Sequence, residues 1–138
     1  EWGIDLPDSL FTIACRAPHR PFSRRLSNLP SPDFRQAVSQ LGGLPNIILN
    51  DEETMSLYEP LLRSDFKNCE DYQLEKSAPV PPKIHAVVST QDELLTLEDA
   101  EAWQHYSENE FSLTVLPNAS HILTPAQLKE TLTNFIKS

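Results

Sequence analysis

The sequence predicts an α/β fold of about three parallel strands with crossover helices and a helical insertion between the first two strands. Two observations carry this. Three apolar runs of strand length, Ser9 to Cys15, Ile84 to Ser89 and Phe111 to Leu116, are spread along the 138 residues and separated by helical patterns rather than tight turns, the order of a parallel sheet. The loops after the second and third runs carry Asp92 and His121. Carboxyl ends of parallel strands are where ligands and reactive side chains gather.

The first two runs are nearly continuous in apolar residues, as in strands covered on both faces. The third alternates Phe111, Leu113 and Val115 with polar neighbours, as an edge strand does. The segment from Arg16 to Pro82 differs in character, holding most of the twelve prolines. It predicts helices over Asp33 to Leu41, stopped by Gly42-Gly43, and over Asp51 to about Phe66, opened by Asn50 or Asp51. Pro60 is expected to kink or split the second. Scattered apolar residues, Phe22, Leu26, Leu29, Ile47 and Leu49, give this insertion the form of a lid over a site. Ser77 to Pro82 then returns the chain as a stiff, extended connector. Residues 1–15 and 83–138 are thus assigned to the core and 16–82 to the lid.

Between the second and third strands, Glu93 to Glu108 reads as a helix, with Leu94, Leu97 and His105 marking its turns and Trp103 and Tyr106 a second stripe. Thr124-Pro125-Ala126-Gln127 is a capping box with proline at the first helical position. The last helix places Leu128, Leu132, Phe135 and Ile136 on one face.

Eleven basic against twenty acidic residues, a net charge of −9, argue against nucleic acid as a partner, since phosphate binding needs clustered Lys and Arg. The positive charge is uneven: Arg16, Arg20, Arg24, Arg25 and Arg35 all precede residue 36. Arg20, Arg24 and Arg25 can receive an anionic partner or form a solvated basic loop. Cys15 and Cys69 lack metal-ligand spacing and fit free thiols in a reducing cytoplasm, or a single disulfide. No apolar stretch approaches the ~18 residues of a membrane span.

An acid followed by a histidine, each after a parallel strand, forms the last two members of an α/β-hydrolase triad, whose chain order is nucleophile, acid, histidine. His121 would act as general base, with Asp92 holding its ring. Glu93 is a rival acid, but its longer side chain and position at a helix start favour capping. His19, His85 and His105 have no second ligand at metal spacing, so no metal site is expected. The chain's three glycines, Gly3, Gly42 and Gly43, form no Gly-x-Ser-x-Gly elbow, so no serine here is nominated as nucleophile. A complete fold of this kind needs about 200 residues or more. The expectation is therefore the carboxyl-terminal part of an α/β-hydrolase, with an upstream amino-terminal part supplying the serine.

Leu10-Phe11-Thr12-Ile13-Ala14-Cys15-Arg16-Ala17-Pro18, Leu41-Gly42-Gly43-Leu44-Pro45, Leu61 to Phe66 followed by Glu70-Asp71-Tyr72, the Asp92 loop with Trp103 after it, and the His121 loop span nearly the whole chain. In this order they resemble the type II thioesterases that serve nonribosomal peptide and polyketide synthases. The resemblance implies a cytoplasmic hydrolase that removes misprimed or stalled acyl groups from the phosphopantetheine arm of acyl or peptidyl carrier proteins, with Asp92 and His121 as triad acid and base. It implies no cofactor beyond the arm on the carrier, and assigns Arg63 and Asp65 to an ion pair locking lid to core. The sequence departs from the family around the base, where Ala119-Ser120-His121-Ile122-Leu123 stands in place of Gly-Gly-His-Phe-Phe, and before the acid, where Ser89-Thr90 replaces glycine. With less conformational freedom than glycine, these residues predict a different path for the histidine loop. Two other readings are a noncatalytic module gripping a carrier or acyl chain, with a vestigial Asp-His pair, and an esterase of the same fold.

Overall fold

The computed structural model describes residues 5–136; the Ile136 side chain, expected on the inner face of the last helix, lies outside the described residues. Three parallel strands, β1 (Ser9–Ile13), β2 (Lys83–Ser89) and β3 (Phe111–Leu116), form one sheet in that order. Phe11 registers with His85, and His85 with Ser112, so these side chains share one face of the sheet. Thr12, Ala86 and Leu113 mark the other.

Helices cover both faces. On the Ala86 face, Ala86 and Val88 pack with Leu95, Ala100, Trp103, Phe111 and Leu113, while Ile84 packs with Ala17 and Tyr106. On the His85 face, the Phe135 ring of the last helix, α5 (Pro125–Ile136), lies 4.7 Å from the His85 ring and 5.3 Å from that of Phe11. His85 also shares a 2.6 Å hydrogen bond with Ser112 Oγ. The central strand is accordingly buried from Ile84 to Ser89 apart from His85. The first strand departs from expectation: of its five residues only Thr12 is buried, and Leu10 is 38% exposed. Among the described residues β1 is an edge of the sheet, and helices centred on β2 cover it incompletely.

Between β2 and β3, the expected single helix over Glu93 to Glu108 is a loop, a short α4 (Leu97–Glu101) and a 3-10 turn (Ala102–Tyr106). The Asp92 carboxylate takes the amides of Leu94 and Leu95 at 2.9 and 3.1 Å, drawing them out of a helical ladder. The helix starts instead at Thr96, which forms a capping box with Asp99. The Thr124–Gln127 box at α5 forms as its sequence predicts.

The segment between β1 and β2, the expected lid and hereafter the lid, holds α1 (Ser31–Leu41), α2 (Asn46–Leu49) and α3 (Glu52–Asp71). Pro32 in the first turn lets α1 begin earlier than Asp33. Asp51 caps α3 through Thr54 N at 3.1 Å. Helix α3 runs unbroken through Pro60 and beyond Phe66. Pro60 and Ser56 lie on the exposed side, so the carbonyl the proline leaves without its helical donor belongs to a solvent-exposed residue, while Met55, Glu59 and Glu70 hold the buried side. Leu26, Phe34, Ala37, Val38 and Leu41 form the lid's own apolar cluster, and Leu94 of the core completes it. Each such large side chain, fully buried, contributes about 1.5–3 kcal/mol.

Buried carboxylates tie the lid's segments together. Glu59 accepts from Ser31 Oγ at 2.6 Å, Arg35 Nε at 2.6 Å and Arg63 Nη2 at 2.7 Å. Glu70 accepts from the amides of Leu26 and Ser27 at 2.6 and 3.0 Å. Arg63 also donates to the Ser27 carbonyl at 2.7 Å and lies 4.2 Å from the Phe34 ring centroid. Its ion pair therefore forms within the lid, with Glu59, rather than from lid to core. No helix among the described residues is long and apolar enough to cross a membrane.

Burial alone would raise the Glu59 pKa, but the hydrogen bonds from Ser31, Arg35 and Arg63 and the charge of Arg63 outweigh it, lowering it from 4.5 to about 2. A carboxylate depressed in the folded state stabilises above its unfolded pKa, and that contribution fades as pH falls from 4.5 towards about 2. Glu59→Gln should therefore lose about 2–4 kcal/mol of stability at neutral pH, by removing the buried negative charge that Arg35 and Arg63 share. The gap between parent and variant in urea unfolding should narrow as the pH is lowered through that window; a gap independent of pH would refute the assignment.

Candidate active site

The loops after β2 and β3 are laced together at the carboxyl edge of the sheet. Thr90 N donates to the Leu116 carbonyl at 3.0 Å, Asn118 N to Thr90 Oγ1 at 3.0 Å, and Gln91 N to the Ala119 carbonyl at 3.2 Å. The β3 loop turns at Asn118, which holds a φ of 56°. Neither Ala119 nor Ser120 takes positive φ, so the glycine-free loop puts its left-handed residue where an asparagine tolerates it. Thr90, in place of glycine, contributes the hydroxyl that holds this turn.

Across the lacing, His121 Nδ1 lies 2.8 Å from Asp92 Oδ2. The Asp92 side chain is 0% exposed and that of His121 24% exposed. A carboxylate only accepts, so Nδ1 carries a proton, and in the neutral ring Nε2 then holds the lone pair. With Oδ1 held by Leu94 N and Leu95 N, the carboxylate is fixed from both sides. Glu93 pairs outward with Arg24 at 2.6 Å, and the carboxylate in contact with His121 is that of Asp92.

His121 lines a cavity of about 720 Å³ between core and lid. Phe22, Phe66, Tyr72, Leu94, Leu95 and Trp103 make it largely apolar. The turn after β1 forms its floor. There Ala14 takes a φ of 48°, and Trp103 Nε1 donates to the Cys15 carbonyl at 2.8 Å, so Trp103 is both a core and a cavity residue. Arg16 reaches across to the end of α3, donating to the carbonyls of Cys69, at 2.9 Å, and Tyr72, with Phe22 4.6 Å from the guanidinium. It acts as a C-terminal cap on the lid helix, a role readable only as a motif in the sequence. Asp65 lines the same cavity. Cys15 and Cys69 are free thiols on its wall. Desolvation raises the pKa of the Cys15 thiol more than the Arg16 charge lowers it.

The three arginines expected to receive a partner are each paired. Arg20 Nε contacts Asp99 at 2.8 Å, Arg24 contacts Glu93, and Arg25 contacts Asp71 at 2.7 Å. Glu93 adjoins Asp92 in the chain, and Asp71 adjoins the cavity residue Tyr72. His19 bonds Tyr106 Oη at 2.9 Å, and no cluster of three potential metal ligands exists among the described residues.

A parallel sheet with an acid–histidine pair at its carboxyl edge, under a helical insertion, defines this chain as α/β-hydrolase in architecture. A family model described as "Thioesterase domain" matches residues 5–138, and the chain belongs to that family. It is 35% identical over 112 residues to the gramicidin S biosynthesis protein GrsT of Aneurinibacillus migulanus, covering 80% of this chain and 44% of that protein. Linear gramicidin dehydrogenase LgrE of Brevibacillus parabrevis is 29% identical over 120 residues, covering 84% and 45% respectively. The RedJ thioesterase of the prodiginine pathway in Streptomyces coelicolor superposes with a TM-score of 0.74 at 27% identity, over 94% of this chain and 48% of that one. The chain spans about half the length of the relatives it matches. The type II thioesterase resemblance read from the motifs holds, and so does the α/β-hydrolase fold.

Asp92→Ala should destabilise by about 1–3 kcal/mol, because two buried amides lose their acceptor, whereas His121→Ala should cost less at its partly exposed position. Thermal unfolding of the two variants checks the order; equal losses would mean that the loop amides do not depend on Asp92.

Proposed function

We propose that this chain supplies the acid and base of a thioesterase that hydrolyses acyl groups from the phosphopantetheine arm of carrier proteins, clearing misprimed or stalled units. The attacking serine would come from a Gly-x-Ser-x-Gly elbow outside these 138 residues. The observation that carries the reading is the 2.8 Å contact between His121 Nδ1 and the buried Asp92, on the wall of an apolar cavity.

The chemistry follows from that contact. Nε2 of His121 accepts the serine proton as the oxygen attacks the thioester carbonyl, and Asp92 stabilises the imidazolium formed. The C–S bond breaks as the tetrahedral adduct collapses, and the imidazolium gives its proton to the departing sulfur. Water, deprotonated by the same nitrogen, then attacks the acyl-serine ester; collapse returns the serine hydroxyl and releases the acid. Phe22, Phe66, Tyr72, Leu94, Leu95 and Trp103 offer the acyl chain an apolar wall. No cofactor beyond the arm on the carrier is required.

Arg20, Arg24 and Arg25 are the carrier-facing cations in this reading, since carrier proteins are commonly acidic. Arg20 also supports the fold, because its partner Asp99 is buried and caps α4. Arg24 and Arg25, half exposed, can exchange Glu93 and Asp71 for a carrier's carboxylates.

Assayed with its serine-bearing segment on an acyl-carrier thioester, the protein should lose about 10³- to 10⁴-fold in turnover on His121→Ala or Asp92→Asn. The 138-residue chain alone should not turn over. Near-normal turnover of His121→Ala, or hydrolysis by the chain unaided, would remove the mechanism, and a preference for small soluble esters over carrier thioesters would favour an esterase.

Reversing the charge of Arg24 and Arg25 together should weaken carrier binding about 10-fold at low salt, with a smaller effect as ionic strength rises. Titration of the carrier by calorimetry at two salt concentrations reads this out. Unchanged affinity would place the carrier elsewhere.

A further inference from the structure

The Leu41-Gly42-Gly43 turn that ends α1 grips the His121 loop through contacts the proposed reaction does not use. The amide of Ile122, next to the base, donates to the Leu41 carbonyl at 3.2 Å. Gly42 and Gly43 hold φ values of 77° and 89°. A Cβ on Gly43 would lie 2.6 Å from Ile122 Cδ1 and 3.3 Å from its Cγ2, and one on Gly42 would lie 3.3 Å from Ser120 Oγ. A side chain at 43 is therefore strained by the positive φ and pushes aside the end of the half-exposed Ile122 side chain. Leu41 is buried in the same lid cluster as Leu94, whose amide binds the Asp92 carboxylate. One apolar cluster thus reaches both loops, the acid's through Leu94 and the base's through Leu41.

We propose that Gly43 is a positioning residue for His121: its turn clasps Ile122 and sets the imidazole against Asp92, so that the acid–base pair is assembled when the lid is seated on the core. This rests on reading His121 as the base, but the lid-dependent contact exists with or without hydrolysis.

The test uses the whole chain and needs no turnover. In nitrogen-15 correlation spectra of the neutral histidine rings, assigned through His121→Ala, the parent His121 should show the Nδ1-protonated tautomer that a carboxylate partner fixes. Gly43→Ala, with the parent's circular dichroism, should lose that bias, and Gly43→Ala/Ile122→Ala should regain part of it. With the serine-bearing segment present, Gly43→Ala should lower kcat about 10- to 100-fold and leave KM within about twofold, as a misplaced base does. A folded Gly43→Ala protein with the parent tautomer overturns the proposal. A parent without turnover, but with the expected tautomer response, overturns the thioesterase reading and leaves the clasp standing. Should Gly43→Ala not fold, hydrogen exchange in the unaltered chain decides: the Ile122 amide should exchange at least about 10-fold more slowly than that of Leu123, and equal rates overturn the clasp.

Discussion

The Asp92 carboxylate is the group on which the site depends. It sits at the end of the central strand with no exposure, and three donors converge on it: the amides of Leu94 and Leu95 and the ring of His121. A buried carboxylate is tolerated only when its lone pairs are taken up, and here the two amides serve Oδ1 while the His121 ring serves Oδ2. The same bonds pull residues 93 to 96 out of helical geometry, shorten the crossover helix and deliver Leu94 to the lid cluster. Side-chain orientation, loop path and lid attachment thus share one origin.

Much of this was legible in the chain because it is written locally. The three apolar runs pair in the expected parallel order, the glycine pair ends α1, and Thr124 with Gln127 opens α5. Asp92 and His121 meet because equivalent loops of neighbouring parallel strands end on the same edge, which is topology rather than coincidence. What escaped was set by tertiary context. The capping box Thr96 with Asp99 was present in the sequence, but helical periodicity from Glu93 masked it. Pro60 looked like a break, and the sequence could not show that its side of α3 faces water. The partners of Arg20, Arg24 and Arg25 are distant in sequence and no spacing rule ranks them, whereas Glu59 stands one turn before Arg63 on the same helix, a spacing the sequence does display.

The lid is held by polar chemistry as much as by its apolar cluster. Glu59 and Glu70 each gather donors from separate stretches, so α3 is a scaffold on which residues 26 to 35 are hung. Arg16, on the turn that follows β1, adds to this by capping α3 where Cys69 and Tyr72 end it. The cavity wall is therefore built from residues fixed at both ends, with Phe22 and Phe66 carried on segments that the two carboxylates and one guanidinium locate.

The parallel pairing of β1 with β2 also governs the order in which the chain can assemble. Ser9 registers with Lys83, so the first ladder bond encloses the entire lid. Closing a loop of that length from an unstructured chain costs entropy before any strand contact compensates it, and such non-local pairings fold slowly. A lid whose helices first gather around Phe34 and Glu59 shortens the span that must be closed. The insertion over the cavity is in this sense a folding intermediary, and substitutions that loosen it would slow formation of a sheet they never touch.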